Sequence, residues 1–160
     1  MKMLAFALPI AVAISAPAYA QAMSPAEYVA MAGSGDMYEI QSSQTVMQST
    51  QDPKIRQFAQ MMIKHHTKST ADVKAAAAKS KLPPKKPMLM PMHAELLTQL
   101  KAENGTARDQ TYIAQQKQAH AQALELHKSY AEGGTAPALK MAAAKIVPVV
   151  QQHIDMLKTM

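Results

Sequence analysis

Glu39, His66, His120 and His153 are the residues best suited to chemistry, because each falls in the apolar stripe of a different long helical segment. An unpaired polar group is costly to bury, so four of them at similar depth predict one shared partner. For a carboxylate and three imidazoles that partner is a transition metal ion, with zinc or copper favoured over magnesium or calcium. A second set, Met88, Met90, Met92 and His93, lies within Met88-Leu89-Met90-Pro91-Met92-His93. Thioethers and imidazole suit copper(I), and in an extended segment alternation places the three sulfurs on one side. Plain packing competes with both readings: neutral core histidines bonded to backbone or to one another, and a methionine-rich crossover laid on a bundle.

The helices that must position these residues are marked by capping signals. Ser24-Pro25-Ala26-Glu27 joins an N-cap, a first-turn proline and a capping-box carboxylate, and predicts a helix over about 24 to 50. Asp52-Pro53 predicts a second helix ending near Ser80, before Leu82-Pro83-Pro84. Residues 80 to 105 read as a crossover with a short helix around Leu96, Leu97 and Leu100. Thr106 and Asp109 read as a capping box for a third long helix, which Gly133-Gly134 breaks. Thr135-Ala136-Pro137 starts the last helix, with Pro148 inside it expected to bend it. No useful strand alternation occurs, so the fold expected is all-α: an antiparallel four-helix bundle with a long crossover.

Counted from these caps, His66 and His120 each lie 14 residues along parallel helices and Glu39 lies 15 along an antiparallel one. At about 1.5 Å per residue the three are nearly level, whereas His153, 17 residues past Ala136, stands several ångströms beyond. His65 is about 100° around the helix from His66 and reads as surface or as support for a ligand. His127 is two turns from His120 on the same face, and could support the site or begin another.

The N-terminus predicts export. Lys2 precedes an apolar run from Met3 to Ser15, and Ala18-Tyr19-Ala20 is a small-x-small cleavage signal, so residues 1 to 20 read as a signal peptide and 21 to 160 as one domain in the periplasm or outside the cell. No later run is long enough for a transmembrane anchor. The chain has no cysteine, which excludes disulfides and thiolate ligands. Its formal charge of +6 allows an envelope protein or an anionic envelope polymer as partner, while export disfavours nucleic acid.

Phe58-Ala59-Gln60-Met61-Met62-Ile63-Lys64-His65-His66, Tyr112 with His120 eight residues on, and Pro148 with His153 five residues on together resemble an exported bacterial family of ferritin-like bundles, domain of unknown function 4142. The resemblance covers most of residues 24 to 157. It implies a ferritin-like bundle and a metal site at Glu39, His66, His120 and His153, in a family whose biochemical role is poorly defined. An aspartate usually precedes the histidine in that family's two middle helices, where this chain has His65 and Ala119. The step Met62-Ile63-Lys64-His65-His66 is also similar to an element of another exported helical family, associated with copper.

A ferritin-type di-iron oxidase needs Glu-x-x-His pairs, but Ile63, Lys117 and Val150 stand three residues before His66, His120 and His153. No separate general base accompanies the histidines, and phosphate loops, dinucleotide fingerprints and nucleophile motifs are absent. The sequence therefore points to binding rather than turnover, in envelope metal handling or stress protection. The competing reading is a metal-free structural or interaction protein of the envelope.

Overall fold

In the computed structural model, which describes residues 23–160, five helices follow one another: α1 Pro25–Val46, α2 Pro53–Lys79, α3 Pro91–Ala102, α4 Gly105–Gly133 and α5 Pro137–Leu157. The four long helices form the expected bundle, with α3 in the crossover between α2 and α4. The predicted leader and its cleavage site lie outside the described residues.

Local chemistry accounts for most boundaries. Ser24 and Glu27 form the reciprocal capping box, with backbone-to-side-chain bonds of 3.2 and 2.9 Å. The Asp52 carboxylate accepts from the amides of Lys54 and Ile55, and Pro53 opens α2. At the other end of α2, Lys81 adopts φ +58° and Leu82 bonds back to the Ala77 carbonyl, so the chain leaves the helix before the two prolines. The expected capping box at Thr106 and Asp109 is replaced by an N-cap at Asn104, whose side chain accepts from Gly105. Asp109 instead accepts a bond from the Thr50 hydroxyl at 3.0 Å and ties α4 to the α1–α2 turn. Arg108, also buried, donates to the Thr45 carbonyl and so satisfies one of the free carbonyls at the end of α1.

Those contacts fix direction: the end of α1 meets the start of α4, while Tyr28 near the start of α1 stacks on Tyr130 near the end of α4 at a centroid distance of 3.9 Å. Hence α1 runs antiparallel to α4, and the crossover sets α2 and α4 parallel. Beside a small apolar cluster of Tyr38, Leu97 and Ala119, the core has two large apolar regions. One holds Tyr28, Val73, Tyr130, Leu139, Ile146 and Val150; the other holds Val46, Phe58, Met62, Leu100, Tyr112 and Leu157. Each fully buried large side chain contributes roughly 1.5–3 kcal/mol by leaving water. His66 lies in sequence between Met62 and Val73, His120 between Tyr112 and Tyr130, and His153 between Val150 and Leu157, so the histidines form a polar layer between the two regions.

Candidate metal centre

α2, α4 and α5 each bring one imidazole into that layer. His66, His120 and His153 are all buried, and each offers a nitrogen such that the three nitrogens lie within 4.8 Å of one another. Ring centroids are separated by 5.7 Å for His66 and His120, 5.6 Å for His66 and His153, and 5.2 Å for His120 and His153. His153, expected to stand beyond the others, is level with them.

The partners of the remaining nitrogens decide where the lone pairs point. His66 donates its Nδ1 proton to Asp36 at 2.8 Å, because a carboxylate can only accept. That leaves a lone pair on His66 Nε2, which is buried and has no hydrogen-bond partner. His120 Nδ1 donates to the Gln116 carbonyl at 2.9 Å, leaving a lone pair on Nε2. This Nε2 lies 3.2 Å from His153 Nδ1, while His153 Nε2 lies 2.9 Å from His65 Nδ1. With His153 protonated on Nε2, that proton goes to His65 and the Nδ1 lone pair joins the other two. Each imidazole then has its outer nitrogen held by a separate group, an arrangement typical of metal-ligating histidines. The 3.2 Å separation of the inner nitrogens also suits two ligands on one ion, since bonds of about 2.0–2.1 Å at a tetrahedral angle place nitrogens about 3.3 Å apart.

Glu39 stands beside this trio rather than within it. Its Oε1 is 3.7 Å from His120 Nδ1, and its Oε2 is buried without a partner. Burial alone would push the His66 imidazolium below its ordinary range, but the bond to Asp36, the charge of Asp36 and that of Glu39 outweigh it, so the net shift is upward. His120 and His153 are pushed down by burial first, and His66 adds to both; His153 falls to about 2. The layer therefore resists adding protons at two of its three imidazoles while it carries two buried carboxylates. One divalent cation would balance those carboxylates without protonating a ring.

Two contributors were not singled out from the sequence. Asp36, one turn before Glu39 on α1, also accepts from the Thr70 hydroxyl at 3.0 Å and is fixed at both oxygens. Its visible signal is spacing, two carboxylates three residues apart on a helix otherwise rich in small residues. Gln116 is fully buried on α4 and provides the carbonyl that orients His120. His65, left open between surface and support, takes the supporting position against His153, with the rings stacked at 5.1 Å. His127 turns to Tyr28, whose hydroxyl is 3.0 Å from Nδ1, and stays out of the trio.

The methionine-rich set does not converge as an extended strand would make it. Met88 is 75% exposed, whereas Met90 opens α3 as its N-cap and Met92 lies in the first turn. His93 is buried, bonded through Nδ1 to the Ser34 hydroxyl at 2.7 Å and stacked on Tyr38.

Among the described residues, no helix is long and apolar enough to cross a membrane. The fold is similar to the crystal structure of a DUF305 protein from Streptomyces coelicolor, with a TM-score of 0.68 over 84% of this chain and 90% of that one, at 16% sequence identity. No curated protein matches the chain in sequence. The sequence profile of one family does match, over residues 11–160, and the chain belongs to that family, Domain of unknown function (DUF4142).

Proposed function

We propose that this chain binds a single transition metal ion, zinc or copper, through His66 Nε2, His120 Nε2 and His153 Nδ1, with Glu39 as the adjacent balancing carboxylate. The observation that carries the reading is the placement of the nitrogens: the outer ones lie against Asp36, the Gln116 carbonyl and His65, and the inner ones lie within 4.8 Å of one another in a buried layer, where the Nε2-protonated form of His153 turns three lone pairs together. Imidazole nitrogens with a carboxylate suit zinc or copper(II). Apolar regions on either side of the layer lower its effective dielectric, which strengthens the attraction between an ion and its ligands.

The function is binding, in metal handling or stress protection in the cell envelope. Export rests on the leader pattern ending in Ala18-Tyr19-Ala20, and the Streptomyces neighbour carries a name that calls it secreted. The test is a titration of chelator-treated protein with zinc and with copper(II), followed by elemental analysis after dialysis. One tightly held equivalent is expected, lost in a His66→Ala, His120→Ala double variant. Absence of any retained ion in the wild type would overturn the reading and leave a structural or interaction role.

A further inference from the structure

Above the imidazole layer a cavity of about 100 Å³ opens between α1, α3 and α4, with Asp36, Glu39 and His66 in its lining together with Met31, Met90 and Met92. At about 30 Å³ per water molecule it has room for a few waters or one partly hydrated ion. We propose that Met31, Met90 and Met92 form a second metal site, for the soft monovalent ion copper(I), at the mouth of this cavity. The site is the entrance to the imidazole centre; its role as an entrance rests on the reading of that centre given above.

The placement of the thioethers supports this. Met31 and Met92 are 38% and 46% exposed, so they meet solvent, while their shared cavity reaches a buried carboxylate and a buried imidazole. The segment carrying Met90 and Met92 is also anchored. The Ser34 hydroxyl accepts from the Met90 amide at 2.8 Å and shares a hydrogen bond of 2.7 Å with His93 Nδ1, tying both ends of the segment's turn to α1. Close by, Gly33 allows Pro87 to approach so nearly that a Cβ there would lie 3.3 Å from the proline Cβ. The sequence grouped Met88 with Met90 and Met92; the fold replaces Met88, which lines a different cavity, with Met31 from α1.

Thioether sulfur selects copper(I) over zinc, whereas imidazole accepts either. Copper(I) caught at the mouth would pass inward by ligand exchange, thioether for imidazole, with no change of oxidation state. Zinc would gain nothing from the methionines.

The test uses protein labelled with ¹³C at the methionine methyls, titrated anaerobically with copper(I) and in parallel with silver(I). The expected result is a shift of the Met31, Met90 and Met92 methyl signals at the first equivalents, in the wild type and in the His66→Ala, His120→Ala variant alike. A Met31→Leu, Met90→Leu, Met92→Leu variant, which keeps side-chain volume, should lose the silver(I) equivalent and fill its imidazole centre with copper(I) at least tenfold more slowly, with zinc filling unchanged. Unmoved methyl signals, or a triple variant that binds silver(I) as the wild type does, would overturn the site. Zinc titration of the wild type separates the two proposals. Zinc held at the histidines, together with methyl signals that copper(I) and silver(I) leave unmoved, keeps the imidazole centre and removes the mouth site. Methyl shifts in a protein that holds no zinc or copper at the histidines leave the mouth site and remove its role as an entrance.

Discussion

Asp36 accepts the Nδ1 proton of His66 at 2.8 Å and the Thr70 hydroxyl at 3.0 Å, so one buried carboxylate fixes both the tautomer and the tilt of an imidazole contributed by another helix. The consequence is a lone pair on His66 Nε2 directed into the layer shared with His120 and His153. Replacing Asp36 by Asn keeps the volume and removes the charge. Zinc affinity by calorimetry should fall by about 10–100-fold, the usual effect of losing a partner behind a metal ligand. Unchanged affinity would mean that Asp36 does not support a ligand.

His65 plays the same part for His153 through a 2.9 Å bond, but it is only partly buried and neutral, so its effect should be smaller. Burial, His66 and Lys64 hold its own protonation below the ordinary histidine range. His65→Ala should weaken zinc binding by roughly tenfold or less, with little change in the melting temperature of the metal-free protein. Calorimetry and thermal unfolding on the same sample would check both parts.

Acid should destabilise the metal-free protein. Burial holds His127 down to about 4, with Asp36 opposing and His66 reinforcing. Its folded value lies below the unfolded value of about 6.5, so the unfolded chain binds the proton first. The stability it contributes is complete above about pH 6.5 and drains away between there and about 4. His93, His120 and His153 are shifted the same way. His66 is shifted upward and acts oppositely, its contribution being present at low pH and lost as pH rises through its raised value. The downward group outnumbers it. Urea midpoints measured with chelator should therefore fall from pH 7 to pH 4, at up to about 1.4 kcal/mol per pH unit for each histidine involved. His127→Gln should flatten that slope.

Gly134 closes α4 where a Cβ would lie 2.5 Å from the Tyr130 carbonyl oxygen and 2.7 Å from the Tyr130 ring. Tyr130 is stacked on Tyr28 and cannot yield cheaply. Gly134→Ala should cost about 1–3 kcal/mol, seen as a lower melting temperature with the zinc stoichiometry intact.

The helices were legible wherever one local signal acted alone. Ser24 with Glu27 and Asp52 with Pro53 cap the helices they were expected to cap, because those bonds involve only neighbouring residues. Asp109 failed as a capping residue because Thr50, distant in sequence, takes its carboxylate and Asn104 caps two residues earlier than Thr106. The three histidines were legible from their place in apolar stripes. Asp36 was not, because α1 faces several neighbours at once and buries Ser34, Asp36, Glu39, Ser42, Ser43 and Thr45, so the single apolar stripe expected around Glu39 is not there for another polar residue to stand out against. The level of His153 was misjudged because counting from a cap assumes that helices start at equal heights.

Thermal unfolding of wild type and the His66→Ala, His120→Ala variant, each with chelator and with zinc or copper(II) in excess, separates a metal-binding histidine layer from one that only packs. At free metal about 100 times the dissociation constant, binding to the folded state adds about 2.7 kcal/mol, or on the order of 8 °C for a domain of this size. A metal centre at the three histidines requires that rise in the wild type and none in the variant. A wild type that melts at one temperature with and without metal, or a variant that is stabilised equally, would contradict it.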